Sequence, residues 1–309
     1  PGDKPALILI SGTHSRDLAP VELNLRFAEY LLSGYGTDPN ITWLLDLAEV
    51  HIILSANPDG RAVVEAQIAS GEADEFGTTA RKKNLNNATC PDPLNTGVDL
   101  DRNFPFQWQL GPTGCMSDYP GASAGSEPET TALTAYINTV IGDYRAGGPD
   151  VPADLSARGL VVHLQSYGNK VFYPYSYRTE PAPEDAALHT LANKIAYGTP
   201  ASPAKYSGTY ASFLPGSLSD FVYGELGVPA LTYTLFASIE GQYFTRCSVF
   251  ENYLNANLQA LTRSLKTVWA PYHLPTGPEL SPLLITIHYS ALETWWELWT
   301  RADMNMLKD

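Results

Sequence analysis

The chain has 309 residues, of which 17% are charged, and its 33 acidic and 19 basic side chains give a net charge of −14 at pH 7. This acidic balance argues against a nucleic-acid partner, because few cations are available to neutralise phosphates, and against docking on anionic lipid. Hydrophobic residues make up 44% of the chain, which is enough for a large core and excludes a mostly disordered protein. No apolar run reaches the roughly 18 residues that a membrane-spanning helix needs.

Apolar, β-rich runs alternate with segments of helical periodicity, which is typical of an α/β fold. In chain order the pattern predicts strands at 6–11, 49–56, 160–164, 171–175 and 230–236, and helices at 21–32, 127–141, 183–197, 218–226 and 250–269. Residues 57–60, Asn-Pro-Asp-Gly, have the composition of a turn. Residues 70–125 predict a long ordered loop region, and such regions usually carry function in a domain.

The last part of the chain differs in composition from the rest. Three prolines and a glycine in residues 271–280 predict a linker. We therefore expect one domain over residues 1–270, followed by a Pro-rich linker and a C-terminal extension over residues 271–309. The strand-like run 283–289 leads to the hypothesis that this extension covers a sheet edge or contributes to a protein assembly.

The composition also bears on the compartment. The chain starts at Pro1 without a signal-peptide pattern, and it combines few charges with many Tyr, Gly and Pro residues. These features favour a secreted or extracytoplasmic protein from which a leader has been cleaved. Its three cysteines, Cys90, Cys115 and Cys247, lack the CxxC spacing of a structural zinc site.

The first polar motif follows the first predicted strand and reads Gly-Thr-His-Ser-Arg-Asp over residues 12–17. Loops at the carboxyl ends of strands are where α/β sheets hold ligands. His14 and Asp17 are three residues apart in a turn and can face one cation. Alone, this motif is weak evidence for a metal site.

Two further polar motifs lie in residues 97–104 and 161–169. In the first, Arg102 beside Asp101 can form a bidentate ion pair with a carboxylate, although a surface turn is the simpler explanation. In the second, His163 and Gln165 stand two apart on a predicted strand and therefore point to the same side. A histidine on an apolar strand is more often a buried core residue than a ligand.

Seven motifs taken together carry a family resemblance. They are GTHSR (12–16), ANPDG (56–60), GVDLDRNFPFQW (97–108), GASAGSEPET (121–130), SYGNKVFYP (166–174), SDFVYGELGVPA (219–230) and CSVFENYL (247–254). In this order the chain resembles the carboxypeptidase A/B-type zinc carboxypeptidases, in a bacterial-like branch, from about Ala6 to Pro271. The resemblance implies an α/β fold with a mixed, mostly parallel eight-stranded sheet flanked by helices. Relatives carry further N-terminal strands, and two alternatives stay open here, that this part was cleaved or that the chain lacks it. It also implies a disulfide between Cys90 and Cys115, with Cys247 as the free thiol.

The resemblance implies one catalytic zinc, but the matching positions are altered. His14 matches the first zinc ligand, Asp17 stands where relatives have Glu, and Gln165 stands where they have the second His. A neutral amide is a poor zinc ligand beside imidazole, and His163 is the substitute nearest in sequence. We therefore expect zinc to be absent or weakly bound.

The residues matched to the chemistry are altered too. Thr234 stands at the position of the general-base Glu, and a threonine cannot take up a proton near neutral pH. Tyr210 matches the tyrosine that closes over substrate in the family. Arg81, in the segment Arg-Lys-Lys-Asn, is matched to the arginine that polarises the scissile carbonyl. Glu225 and Glu240 are candidates for a replacement base.

The positions that bind substrate in the family correspond to four residues here. Arg16 and Arg102 are kept, whereas Asp101 replaces the Asn that binds the terminal carboxylate in relatives. Asp220 matches the acid at the base of the specificity pocket. A negative charge at position 101 is unfavourable for docking a carboxylate.

The leading hypothesis is a zinc-carboxypeptidase-like protein that is inactive or strongly impaired and has a binding or structural role. Its partner would be a peptide or protein C-terminus. The alternative is an active metallocarboxypeptidase that releases C-terminal residues from peptides with non-standard ligands. A third hypothesis, a sugar-binding or adhesive module, rests on the aromatic count alone.

Overall fold

The computed structural model describes residues 4–86, 89–92, 95–111, 113–237 and 242–274. In these ranges the chain forms a six-stranded sheet of β1 (Ala6–Ile10), β2 (Glu49–Ile53), β3 (Leu160–Ser166), β4 (Lys170–Phe172), β5 (Ser202–Ala204) and β6 (Ala230–Leu235). Their order across the sheet is β2-β1-β3-β6-β4-β5. Neighbouring strands are parallel except β4 and β6, which are antiparallel.

The helices in the described ranges are α1 (Leu18–Gly34), α2 (Pro39–Leu47), α3 (Pro58–Ser70), α4 (Pro128–Val140), α5 (Asp185–Ala196), α6 (Tyr206–Tyr210), α7 (Leu218–Leu226) and α8 (Cys247–Thr267). A short 3₁₀ turn covers Leu100–Arg102. Helices α1 and α5 pack against α8, and α7 packs on β3 and β6. Within these ranges, no helix has both the length and the apolar character that crossing a bilayer requires.

Three central strands position the functional region. Every residue of β1, β3 and β6 is buried, because central strands of a mostly parallel sheet are covered on both faces. β3 and β6 nevertheless carry polar residues toward their carboxyl ends. Ile10 at the end of β1 lies opposite His163, and Gln165 near the end of β3 lies opposite Thr234 of β6. The loop after β1 and the last residues of β3 and β6 therefore meet at one edge of the sheet.

The predicted α/β architecture with a mixed, mostly parallel sheet is confirmed, with six strands in the described residues where the resemblance implies eight. The turn predicted at 57–60 is wrong, because these residues begin α3. The Asn57 side chain accepts the N–H of Gly60, and Pro58 occupies the first helical turn, so a turn-like composition serves as a helix N-terminus. Helices α2 and α6 and the three-residue β5 were not predicted. The proposed linker from residue 275 onward and the extension lie outside the described residues.

The long loop between α3 and α4 contains only the 3₁₀ turn as regular structure in its described part. The predicted disulfide is confirmed, with Cα atoms of Cys90 and Cys115 5.0 Å apart, and Cys247 is free and exposed. The buried Lys83 ammonium donates to the backbone carbonyl groups of Asn95, Gly114 and Met116. The disulfide and the Lys83 ammonium with its three carbonyl acceptors, called here the Lys83 hub, thus order this loop without helices or strands.

Candidate functional site

A cleft of about 240 Å³ opens at the carboxyl edge of β3 and β6. Its lining comes from the loop after β1, the long loop, the β3–β4 segment, α6 and β6. The lining residues are His14, Arg16, Lys82, Gln165, Ser166, Tyr167, Phe172, Ser176, Tyr206, Tyr210, Leu214, Thr232, Thr234 and Tyr243. In the part of the chain that the structure describes, this lining contains no Asp or Glu side chain.

His14 enters the cleft from the loop after β1 and is held between two carboxylates. Its Nε2 lies 2.9 Å from Asp99 Oδ1, and its Nδ1 lies 3.6 Å from Asp17 Oδ2. Burial and the Lys82 ammonium lower the pKa of His14, but Asp99 and Asp17 outweigh them and raise it above its ordinary value. The imidazole is therefore fixed in orientation by buried acids.

Asp99 is the charged centre of this region. Its carboxylate is buried and lies 2.6 Å from Lys82 Nζ and 3.5 Å from Arg102 Nε, in addition to His14. Burial alone would raise the pKa of Asp99, but Lys82, His14 and Arg102 outweigh burial and hold it well below its usual range. A buried carboxylate beside two cations and an imidazole stays ionised.

Gln165 forms part of the cleft floor with its amide nitrogen turned inward. Gln165 Nε2 donates to Asp101 Oδ2 at 2.8 Å and lies 3.4 Å from His163 Nε2. His163 is completely buried, and its Nε2 also lies 2.8 Å from Thr13 Oγ1. Burial lowers the pKa of His163, although neighbouring carboxylates oppose this.

Thr234 lies beside Gln165 on the neighbouring strand. Its hydroxyl accepts the N–H of Lys170 at 3.1 Å and donates to the carbonyl oxygen of the same residue at 3.3 Å. A Cβ atom placed on Gly168 would lie 2.9 Å from Thr234 Oγ1 and 3.3 Å from the Tyr210 hydroxyl. The glycine therefore keeps Thr234 and Tyr210 close to each other at the cleft.

Aromatic rings form two walls of the cleft. Tyr206 and Tyr210 are 4.8 Å apart between ring centroids, and Phe172 packs 5.6 Å from Tyr210. Tyr167 and Tyr243 form a second pair at 5.1 Å. Burial raises the pKa of Tyr210, so its phenol stays neutral. Such walls suit a side chain with a flat or apolar surface.

Two cationic side chains besides His14 face the cleft, and both are anchored. Arg16 stacks 3.7 Å above the Tyr243 ring centroid, and it donates to the Tyr243 hydroxyl and to the Thr78 carbonyl oxygen. Lys82 is held by Asp99. The cleft thus contains positive groups that are held in place, and its described lining has no acidic side chain.

Other residues predicted from the sequence are placed away from the lining. Asp101 is buried under the floor, where it accepts N–H groups from Gln165 and Leu218. Arg102 donates to the Phe213 carbonyl oxygen besides facing Asp99, and Arg81 donates to carbonyl oxygens within the long loop. Asp101 therefore stabilises the cleft from below.

Asp220 and the replacement bases also lie outside the lining. Asp220 is completely buried and accepts the N–H groups of Ser176 and Tyr177, which orders a segment that reaches the cleft through Ser176. Burial raises the pKa of Asp220 to about 7, although these backbone donors oppose it. Glu225 is exposed on α7, and Glu240 lies outside the described residues.

The residues that the sequence resemblance matches to the family's zinc ligands do not form a three-ligand zinc site. Asp17 keeps one buried oxygen, Oδ1, without a hydrogen-bond partner, as a ligand would, and its Oδ2 accepts the Ser166 N–H. His14 and Asp17 supply only two donors, however, and the third position offers an amide. Within the described ranges, no three His, Cys, Asp or Glu side chains are grouped to hold an ion. This set does not fit zinc, which needs three strong protein ligands in a catalytic site.

Several residues that shape the cleft were not predicted, notably Lys82, Asp99, Phe172 and Tyr243. Asp99 belongs to one of the seven motifs that carry the family resemblance, and Lys82 follows Arg81 in the Arg-Lys-Lys-Asn segment. The backbone offers the remaining clue, because the N–H of Ser15 bonds to the carbonyl oxygen of Lys82 and brings the long loop beside His14. Phe172 lies in another of the seven motifs, residues 166–174, whereas Tyr243 carries no distinguishing signal in the sequence.

Comparison with known proteins gives the family. The model of the zinc carboxypeptidase family matches residues 1–260. Inactive metallocarboxypeptidase ECM14 of Saccharomyces cerevisiae is 27% identical over 197 residues, which are 63% of this chain and 40% of that protein. Carboxypeptidase A1 of Rattus norvegicus is 26% identical over 228 residues, 73% of this chain and 46% of that protein. The matched region spans less than half of these two relatives.

The fold agrees with this match. The crystal structure of carboxypeptidase A from Helicoverpa armigera superposes with a TM-score of 0.66 at 19% sequence identity, covering 89% of this chain and 63% of that chain. At this identity the likeness concerns the fold. By its sequence match over residues 1–260, the chain belongs to the zinc carboxypeptidase family.

Proposed function

We propose that this family member binds the C-terminal end of peptides or proteins in the cleft and hydrolyses them very slowly or not at all. The observation that carries the proposal is a cleft whose described lining includes Thr234 and lacks any carboxylate, and the sequence resemblance matches Thr234 to the family's general-base Glu. A threonine hydroxyl does not accept a proton near neutral pH. Loss of a general base slows a reaction by about 10²–10⁴-fold.

Binding is supported by the charges and walls of the cleft. Arg16 and Lys82 are held in place and can donate to a carboxylate. The tyrosine and phenylalanine rings offer apolar surface to a side chain. The function proposed here therefore uses Arg16 and Lys82 for the terminal carboxylate, rather than Asp101 and Arg102, which are engaged elsewhere.

The alternative, hydrolysis with substitute groups, has less support. His163 would have to leave a completely buried position and its contact with Thr13 to replace Gln165. Glu225 is exposed outside the cleft lining. The yeast relative carries the word inactive in its name, which favours loss of activity as an outcome within the family.

The activity test compares the protein with a repaired variant. We expect no measurable release of C-terminal residues from blocked dipeptides by the wild-type protein. The triple variant Asp17→Glu, Gln165→His and Thr234→Glu restores the family's ligand and base types, and zinc-dependent turnover in it would show that the scaffold still supports catalysis. Clear, chelator-sensitive turnover by the unrepaired protein would contradict the proposal.

The binding test is separate from the activity test. Isothermal titration of a peptide with a free C-terminus is compared with the same peptide carrying a C-terminal amide. We expect the free acid to bind more tightly, because only it offers a carboxylate to Arg16 and Lys82. Equal affinity for both peptides, or binding of neither, counts against this function.

Metal analysis tests the zinc part of the proposal. After dialysis at neutral pH, we expect well below one zinc per chain in the wild-type protein and an increase in the triple variant. Stoichiometric zinc in the wild type would contradict our interpretation of the donor set.

We also propose an extracytoplasmic location. The disulfide between Cys90 and Cys115 supports it, since disulfides persist in oxidising compartments. Alkylation of cell-derived protein without prior reduction should label one cysteine per chain. Labelling of three would argue for a reducing compartment.

A further inference from the structure

The side-chain amide of Gln165 has its nitrogen committed to the protein interior. Nε2 donates to Asp101 Oδ2 at 2.8 Å and lies 3.4 Å from His163 Nε2, which also faces the Thr13 hydroxyl at 2.8 Å. The amide oxygen accepts no hydrogen bond from a residue that the structure describes, and Gln165 lines the cleft. Because an amide orientation follows from its hydrogen-bond network, the oxygen is the end offered to the cleft.

Asp101 enforces this orientation. It is only 1% exposed, and its Oδ1 accepts the N–H of Leu218 at 3.0 Å while Oδ2 accepts from Gln165. A carboxylate can only accept hydrogen bonds, so the opposing end of the amide must be its nitrogen. The residues at positions 101 and 165, which both depart from the family pattern, therefore form one complementary pair.

None of the neighbouring groups described below donates to the Gln165 amide oxygen, which is therefore an unused acceptor on the cleft floor. The Thr234 hydroxyl is engaged with both backbone groups of Lys170. The cations of the cleft, Arg16 and Lys82, are donors only. A ligand whose carboxylate meets these cations and which also carries an N–H group would satisfy both kinds of partner.

We propose that Asp101 and His163 are positioning residues that hold the Gln165 amide oxygen in the cleft, where it accepts the N–H of a peptide bond of the bound ligand. The ligand class is then an N-acylated amino acid or peptide, in preference to the ester of the same shape. This inference rests on the proposed function, since it assumes that a peptide terminus occupies the cleft.

The first experiment needs no ligand. Hydrogen exchange of the Gln165 side-chain amide is followed by NMR, with its signal assigned by its loss in Gln165→Ala. We expect slow exchange in the wild type and at least tenfold faster exchange in Asp101→Asn. An asparagine can keep the bond from Leu218 but presents an NH₂ group to Gln165, which turns the amide nitrogen toward the cleft. Equal exchange in both proteins overturns the inference.

The second experiment measures ligand selection by isothermal titration. A blocked dipeptide is compared with the depsipeptide in which an ester oxygen replaces the last peptide N–H. One neutral hydrogen bond contributes about a tenfold difference in affinity, so we expect the wild type to prefer the dipeptide about tenfold. Asp101→Asn should abolish this preference. Glu184→Gln, a matched change at a remote buried carboxylate that accepts from Tyr223 and Ala153, should keep it.

A rescue variant distinguishes a positioning role of Asp101 from a purely structural one. In the double variant Asp101→Asn and Gln165→Glu, the asparagine NH₂ can donate to one Glu oxygen and leave the other in the cleft. We expect the preference for the dipeptide to return. Equal binding of dipeptide and depsipeptide by the wild type overturns the inference and leaves the proposed function standing. Binding of neither ligand overturns the proposed function, and with it the ligand selection inferred here.

Discussion

At the scale of single residues, the cleft is organised by buried carboxylates that never reach its surface. Asp99 holds His14 and Lys82, Asp101 holds Gln165, and Asp220 holds the backbone at Ser176. The described lining itself contains no acidic side chain. Charge in this site therefore positions side chains, and under the function proposed above it also attracts an anion.

Lys82 is the residue whose removal tests anion binding most directly. A hydrogen bond to a charged group contributes about 1.5–3 kcal/mol, so Lys82→Met should weaken binding of a free C-terminal peptide at least tenfold. The dissociation constant from titration calorimetry checks this. The exposed Lys266 on α8 provides the control, because Lys266→Met removes the same charge away from the cleft. An unchanged affinity in Lys82→Met would exclude Lys82 from ligand binding.

Asp99 makes stability depend on pH. Its pKa is lowered in the folded protein, so its stabilising contribution is complete above the unfolded pKa of about 3.9 and declines as the pH falls below it. Asp99→Asn should lower the free energy of unfolding by about 3 kcal/mol at pH 7, since it takes the carboxylate away from the half-buried Lys82 and Arg102.

Urea unfolding at pH 7, 4 and 3 checks this dependence. The difference between wild type and Asp99→Asn should stay constant above about pH 5 and shrink below pH 4. Asp59→Asn changes an exposed acid on α3 and should show no comparable difference at any pH. A difference in unfolding free energy that grows as the pH falls would contradict a lowered pKa of Asp99, because such a carboxylate stabilises the fold less at low pH.

At the scale of elements, the cleft depends on how α3 begins. The buried Asn57 side chain accepts the Gly60 N–H at 3.0 Å and donates to the Thr13 carbonyl oxygen at 3.2 Å. One residue thus caps a helix and holds the loop that carries His14. The cap at the start of α2, Asp38, accepts from Asn40 and Ile41 and has no such second contact among the bonds described.

This contrast gives a prediction at the same scale. Asn57→Ala and Asp38→Ala should each lower the free energy of unfolding by about 0.5–2 kcal/mol through loss of a helix cap. Only Asn57→Ala should also weaken peptide binding, because it releases the Thr13–His14 backbone. Chemical denaturation and titration of both variants provide the comparison. Similar binding by the two variants would show that the loop keeps its position without Asn57.

At the scale of the whole molecule, the long loop is stabilised by a cross-link in place of regular structure. The disulfide closes a segment with a sequence separation of 25. Chain-entropy arguments give about 3 kcal/mol for a loop of this size, so Cys90→Ser with Cys115→Ser should lower the free energy of unfolding by about that amount. Cys247→Ser is the control, since this thiol is free and exposed. A loss equal to that of the control would mean that the Lys83 hub alone orders the loop.

The sequence predicts the fold well because its central strands are largely apolar, β-rich runs such as 6–11 and 230–236. It predicts α3 wrongly because Asn57 and Pro58 serve equally well in a turn or at a helix start. Within the site, local motifs identify His14, Gln165 and Thr234. The orientation of Asp101 toward Gln165 and the position of Lys82 in the cleft lining depend on tertiary contacts between segments far apart in sequence. No local pattern in the sequence therefore indicates them.

The outermost strand β5 has a consequence for how copies of this protein meet. Ser202 donates its N–H to Asn169 and Ala204 accepts from Tyr173, so the intervening Pro203 turns its backbone away from β4. Proline has no N–H, so among the described residues the side of β5 that faces away from β4 lacks a backbone donor at Pro203. A missing donor disfavours hydrogen bonding of this edge to a strand of another copy.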